Sequence, residues 1–491
     1  MAQASAVQPS PSMSTLYTLP PSATSSVFDL PVHRGTQRPT PIASTPKGTI
    51  SLSGDNPFES EDAPRVLVLS GGTGCNAICA AFGPNASYVL PVSDNGGSSA
   101  EIIRVLGGPS IGDIRSRLVR LIPDAPRDSP LIAIRALLAY RIPPELSDED
   151  SKREWRDIVE GVSPLWRGIP GDRKETIRGF LVYFENELLK RADKNFSFRN
   201  GSIGNYWLAG AQHFFRSLPS AIFLFSSITT SQASILPVIV TNHTVTIAAQ
   251  LDNNATLVGQ CEISHPVAPP PLATPELSLH AEDGTALEAE PDGADIIDGI
   301  ETSDVSTRNV TFSKGDQEEA ALPAPISRLF YINAYGQETH PRPNPTYLRS
   351  CADSELLVYS CGSLWTSIVP CLALRGVGKA IAGSRSLRAK VLLLNSKNDR
   401  ETPNYRAVDY LSAIVRTLNT SDPNAHSERP ASAFVTHLVY LLDGTVPVDV
   451  GAIENLGISC LGLAARKHDK DGVGKFDKEV VMDALTQISA F

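Results

Sequence analysis

Four times this chain runs a short apolar segment into a loop of small polar residues and then into a stretch with helical spacing. The segments are "RVLVLSGGTGCNAICAAF", "SYVLPVSDNGGSSAEIIRVL", "ELLVYSCGSLWTSIVPCLALRGVGKAI" and "AKVLLLNSKNDRETPNYRAVDYLSAIV". Strand, loop, helix, repeated, predicts an α/β fold with a mostly parallel sheet. Two stretches interrupt the rhythm. Residues 128–200 read as a helical insertion, with "LIAIRALLAYRI" and "ETIRGFLVYFENELLKRA" apolar at helical spacing. Residues 237–263, "PVIVTNHTVTIAAQLDNNATLVGQCEI", alternate β-branched and polar residues around "DNN" and read as a β-hairpin.

Composition divides the chain further. Residues 1–62 are rich in Ser, Thr, Pro and Gln and cannot bury enough apolar surface to offset chain entropy, so a disordered tail is expected there. From Glu276 to Asp304 ten acidic residues occur with no Lys or Arg, inside a Pro-rich stretch at 266–323 that reads as a disordered acidic insertion. The α/β part is then split into 63–265 and 324–491. The acidic stretch accounts for the formal charge of -10, leaving the remainder close to neutral. No basic stripe interleaved with aromatics appears, so a nucleic-acid partner is not expected.

The apolar runs fall short of the ~20 residues of a membrane span. No Lys or Arg precedes Arg34, which fits neither a secretory signal nor a transit peptide. The expectation is a cytoplasmic protein with no membrane partner. Seven cysteines are spread along the chain with no Cys-x-x-Cys, which suits a reducing compartment; Cys75 and Cys79 read as small core residues.

In an open parallel sheet, ligands bind outside the carboxyl ends of the strands, where helix N-termini offer free N–H groups. Each small-residue loop falls at such a place. Ser70-Gly71-Gly72-Thr73-Gly74 follows the first strand, and its glycines allow a ligand to approach the backbone. Asp94, at the end of the next strand, stands where a dinucleotide fold places its ribose-binding acid, so an NAD(P)-dependent dehydrogenase is a competing reading. Against it, Ala77 stands in place of the third glycine of that fingerprint, and a second Gly-Gly loop follows at once. Gly96 and Gly97 can form a nest of N–H groups before a helix opened by Ser98 and Glu101, which read as a capping box. An acid beside such a nest suits a phosphate carrying a metal or a sugar.

Further along, Gly112 and Asp113 open a helix with Arg115 and Arg117 close by; the arginines either pair with acids or face a phosphate. Gly204-Asn205, and Gly362-Ser363 with Thr366 and Ser367, again join glycine to hydrogen-bonding side chains at helix starts. "DKDGVGKFDKEV" imitates a calcium loop with Asp469, Asp471, Gly474 and Asp477. Val473 and Val480 stand where an oxygen ligand and the bidentate Glu belong, so calcium binding is not expected.

Taken together, "VLVLSGGTGCNAI", "LPVSDNGGSSAEI", "GDIRSRLVRL", "NGSIGNYWLAGA", "ADSELLVYSCGSLWTSIVPCLALRGVGKAI" and "KVLLLNSKNDRETPNY" resemble the CofD family in the same order, over roughly 64–265 and 324–491. That family includes 2-phospho-L-lactate transferase and the YvcK-type gluconeogenesis factor. The resemblance implies a Rossmann-like sheet with helices on both faces. It also implies one of two functions: transfer of a phosphoester from a nucleotide-activated donor to an alcohol, assisted by Mg²⁺, or non-catalytic binding of a nucleotide sugar by a regulator of carbon metabolism.

By motif match, Gly72, Thr73 and Gly74 would lie at a guanosine or uridine nucleotide. Asp94, Asn95, Gly96, Gly97 and Ser98 would line the phosphate region, with Asp94 as Mg²⁺ ligand; Asp113, Arg115, Gly204 and Asn205 would complete the pocket, with Asp94, Asp113 and Arg115 as the catalytic set. Several positions depart from the family pattern: Ser70 for a glycine, Asn95 for a second acid, Ser116 for an asparagine, and Ser360-Cys361 for Gly-Pro. Loss of the second acid bears on the transfer chemistry more than on binding. The apolar face of "LVYFENELL" offers a contact for a homo-oligomer.

Overall fold

The first predicted strand forms at Val66–Leu69 (β1), with all four side chains buried. The structure, a computed structural model, describes residue 58 and residues 63–93, 96–191, 194–231, 233–265, 321–333, 335–422 and 427–489. These belong to one unit, Asp55–Phe491. The tail, apart from Phe58, and the acidic stretch up to residue 320 lie outside the described residues. Phe58 itself is buried in the core.

After β1 come the one-turn helix α1 (Thr73–Asn76), strand β2 (Ala86–Leu90), and helices α2 (Gly97–Leu106) and α3 (Gly112–Arg120). The predicted helical insertion supplies α4 (Pro130–Ala139), α5 (Asp148–Glu160) and α6 (Gly171–Leu189), followed by α7 (Ile203–Phe215) and α8 (Leu218–Thr229). The chain then returns to the sheet as β3 (Ser234–Pro237). An antiparallel group follows: β4 (Thr246–Leu251), β5 (Thr256–Val258), β6 (Ile326–Ile332) and β7 (Glu338–Thr339). The last third contributes β8 (Leu356–Tyr359), β9 (Ala389–Leu393), β10 (His437–Leu441), β11 (Ser459–Leu463), and the short pair β12 (Lys467–His468) and β13 (Gly474–Lys475).

Seven strands form one sheet in the order β11-β10-β9-β8-β1-β2-β3, and every pair in it is parallel. This is the Rossmann-like α/β core that the repeated strand-loop-helix pattern predicts. β1, β8 and β9 are buried at every position, as strands covered by helices on both faces must be. The hairpin forms around Asp252–Asn254 as β4 and β5, paired antiparallel with Ala248 opposite Val258. It is shorter than predicted, since residues 238–245 form no strand; Ser234–Pro237, just before them, closes the edge of the parallel sheet and ends on Pro237, where an absent N–H is tolerated.

The helical layer packs on aromatic rings. Trp155 stacks on Phe198 at 5.0 Å between centroids and meets Phe184 and Tyr206 edge-on. Leu181, Phe184 and Leu188 of the "LVYFENELL" stretch are core residues, while Leu189 is exposed. The helix at Ser98 corrects the capping-box reading. α2 begins at Gly97 with Gly96 as its cap and no side-chain cap bond. Glu101 is drawn away from the helix start because its carboxylate accepts from the Ser197 N–H (2.7 Å) and from Arg104 (2.7 Å). All seven cysteines are free thiols. No single helix among the described residues is long and apolar enough to cross a membrane.

Candidate functional site

The sheet reverses its direction of growth at β1, with β2 and β3 on one side and β8 to β11 on the other. The crevice beyond the carboxyl ends of β1 and β8 is therefore the topological switch point, where α/β proteins bind ligands. Here the loop Ser70–Gly74 meets the loop Ser360–Ser367 so closely that side chains are excluded. A Cβ on Gly74 would lie 2.7 Å from the Cys361 carbonyl oxygen, and one on Gly72 would lie 2.1 Å from Asp113 Oδ1. Gly71 is equally hemmed in, since its Cβ would meet Ser367 Oγ at 2.2 Å. Gly362 adopts φ +140° and is clamped from both sides by Asn395, whose Oδ1 accepts from its N–H (2.9 Å) and whose Nδ2 donates to its carbonyl (2.8 Å).

These loops form one wall of a cleft of about 640 Å³, lined there by Gly72, Gly74, Ala77, Asp113, Gly362, Ser363, Thr366 and Ser367. The volume falls within the range of small-molecule sites. The rest of the lining comes from Asn395–Glu401 beyond β9, packed against the Gly362–Thr366 loop, from Ser264 and His265, and from the β12–β13 hairpin through Asp469, Gly474 and Lys475. That hairpin is the calcium-like stretch. Asp469 accepts from the N–H groups of Asp471 and Val473 (both 2.9 Å), and Asp477 caps the following helix by accepting from the Val480 N–H.

A buried acid, Glu401, and a half-buried one, Asp399, stand beside the loop after β8. Glu401 is only 1% exposed, and its carboxylate accepts from the N–H groups of Trp365 (3.0 Å) and Thr366 (3.1 Å) and from the hydroxyls of Thr366 and Ser264 (both 2.6 Å). Burial, together with the charge of Asp399, raises its pKa to about 7 against the pull of those donors. Asp399 is also raised, chiefly by burial, although Thr402 Oγ1 and the Glu401 N–H donate to it. Nothing in the sequence marks either acid, because both sit in a polar run that reads as a solvated loop.

The remaining expected residues form a second group beside the end of β2. Asn205, in the first turn of α7, donates from Nδ2 to Ser98 Oγ (2.9 Å) and accepts from Arg115 Nε (3.0 Å). Gly204 is a packing residue: a Cβ there would lie 2.4 Å from the Leu138 carbonyl and 3.0 Å from Arg115 Cδ. Burial, and then the nearby Arg141, lower the Arg115 pKa to about 10. Gly96 and Gly97 open α2, with Gly97 at φ +53°. Asp94 and Asn95 lie outside the described residues, and Thr73 is placed by its backbone as the first residue of α1. α3 joins the two groups, with Asp113 against Gly72 and Arg115 against Asn205.

A family profile described as "2-phospho-L-lactate transferase CofD" matches residues 66–472. The chain belongs to the CofD family. Among its relatives, the uncharacterized protein YNL011C of Saccharomyces cerevisiae is 34% identical over 459 residues, covering 86% of this chain and 99% of that one. A Clostridium acetobutylicum protein named "Putative gluconeogenesis factor" is 20% identical over 434 residues, covering 86% of this chain and 70% of its own length. A Bacillus halodurans crystal structure described as a UPF0052 family member superposes with a TM-score of 0.53 at 18% identity, covering 85% of this chain and 98% of that one. This last likeness speaks for the fold.

Proposed function

We propose that the cleft between β1 and β8 binds a nucleotide-type phosphate ester, and that the reaction supported there is CofD-type transfer of a phosphoester from a nucleotide-activated donor to an alcohol. The observation that carries the reading is the Gly71–Gly74 loop, pressed against Gly362 at the switch point with Asp113 at its edge. Backbone amides at such a place favour phosphate oxygens, and bare glycines let the phosphate reach them. The expected ligands are guanosine or uridine nucleotides.

Mg²⁺ is implied by the transfer reading. Among the described residues no three His, Cys, Asp or Glu side chains converge to form a metal site. Mg²⁺ bound with a nucleotide takes one or two protein carboxylates and completes its shell with phosphate and water, so Asp113 is a fitting donor, joined by Asp94 by motif match. When bound, the ion supplies charge neutralisation to the phosphates. Phosphoryl transfer needs positioning and charge stabilisation more than covalent help. In this chain Asn395 and Glu401 hold the Gly362–Thr366 loop, and Asn205 aims Arg115.

The second reading is a nucleotide-sugar-binding regulator, favoured by the match to the clostridial protein named as a gluconeogenesis factor. Thermal unfolding of the full chain against GDP, GTP, UDP-sugars, NAD and NADP, each with and without Mg²⁺, tests the binding. A raised midpoint with guanosine or uridine ligands is expected, and Asp113→Asn should reduce any Mg²⁺-dependent part of it. A rise confined to NAD or NADP would return the glycines to the dehydrogenase reading. Incubation of a guanosine-activated phosphoester with an alcohol then separates the two functions, since transfer releases GMP and sensing does not.

A further inference from the structure

Arg117 is fully buried in α3, and among the described residues no carboxylate pairs with it. Its Nη2 donates to the Gly71 carbonyl (3.0 Å) and Ser70 Oγ (3.4 Å); Nη1 donates to Cys75 Sγ (2.9 Å) and the Cys75 carbonyl (3.5 Å). Its guanidinium carbon lies 5.0 Å from the Tyr88 ring centroid, and Nε has no hydrogen-bond partner among the described residues. Carbonyls, a thiol and a ring face solvate a guanidinium without cancelling its charge, and a buried uncancelled charge is costly.

The geometry of the peptide unit says where a cancelling charge can sit. In a trans peptide the C=O of one residue and the N–H of the next point in opposite directions. With the Gly71 carbonyl turned down onto Arg117, the Gly72 N–H is turned away from it, on the side where Gly72 lines the cleft. Arg117 and the cleft therefore face each other across a single peptide plane.

We propose that Arg117 is the positioning residue and fixed counter-charge of the anion subsite at Gly71–Gly74: it holds the Gly71 carbonyl inward, and its buried charge favours ligands in proportion to their negative charge, a diphosphate over a monophosphate. This rests on the reading that the cleft binds a phosphate ester. An anion on the Gly72 amide would lie roughly 8 Å from the guanidinium, with the Asp113 carboxylate, also beside Gly72, opposing it equally in the wild type and in the Arg117 variants. At an effective dielectric of about 20 that separation corresponds to about a 30-fold change in Kd per ligand charge, which solvent in the open cleft lowers to about tenfold.

The test is calorimetric titration of the full chain with inorganic phosphate and with pyrophosphate at pH 6.5, for the wild type, Arg117→Gln and Arg117→Lys. The wild type should prefer pyrophosphate, Arg117→Gln should lose about tenfold of that preference, and Arg117→Lys should keep it. Equal losses for both probes in Arg117→Gln would reduce the arginine to scaffold and overturn the proposal. Should Arg117→Gln not fold, Arg117→Lys keeps the proposal falsifiable, because a charge role requires the wild-type ratio of the two affinities and a lost ratio overturns it. A wild type that binds neither probe overturns the phosphate reading beneath the proposal as well, a result distinct from a wild type that binds both without a charge preference.

Discussion

Replacing Glu401 with Gln should flatten the pH dependence of stability between pH 4.5 and 7. The folded carboxyl keeps its proton to about pH 7, whereas the ordinary value is 4.5. Between those limits the folded state holds the extra proton, so this group's destabilisation is absent below pH 4.5 and grows as pH rises to its full extent above 7. A shift of that size corresponds to about 3 kcal/mol. Gln can take over the contacts: its oxygen accepts from the Trp365 and Thr366 N–H groups, and its amide donates to the hydroxyls of Thr366 and Ser264, which the carboxylate now satisfies as acceptor. Urea unfolding at pH 5, 6, 7 and 8 should show the wild type losing up to about 3 kcal/mol relative to Glu401→Gln across the series. Parallel profiles for the two proteins would refute the reasoning, since they would mean that the four donors hold Glu401 ionised throughout.

Gly74→Ala should cost about 1–3 kcal/mol and remove ligand-induced stabilisation, because its methyl enters the space of the Cys361 carbonyl; thermal unfolding with and without ligand checks both. Trp155→Ala should cost about 3–5 kcal/mol by emptying the aromatic cluster with Phe184, Phe198 and Tyr206. Its effect should be on urea stability rather than on nucleotide preference. With every cysteine a free thiol, the unfolding midpoint should be the same with and without dithiothreitol.

Strands β1, β2, β8 and β9 were legible because each carries its own local signal: an apolar run that passes through a small polar loop into a helical repeat. The edge strand Ser234–Pro237 was less so, since "SILPVIV" continues without a break into residues that leave the sheet. The glycine loops were legible as places, yet the reason for each glycine is long-range. Gly74 needs the carbonyl of Cys361, and Gly204 needs that of Leu138. Glu401 shows the limit more sharply: its partner Ser264 is 137 residues away, so nothing local distinguishes it from a solvated acid. The choice left open for the two arginines has two different answers, an amide for Arg115 and a loop carbonyl for Arg117. Ser98 and Glu101 matched a local motif, but Ser197, nearly a hundred residues on, took the glutamate.

The strand order also governs when the cleft can come into being. Its two glycine loops meet only once Val66 has paired with Leu356, and its far rim includes residues 469–476. Closing such loops costs entropy before any contact rewards it, so the parallel pairing is intrinsically slow. A fragment ending before β8 would carry the first glycine loop but not the second, and so no pocket. Under the reading proposed above, ligand binding is therefore a late event in folding, and a stopped-flow signal from an added nucleotide would time the completion of the sheet.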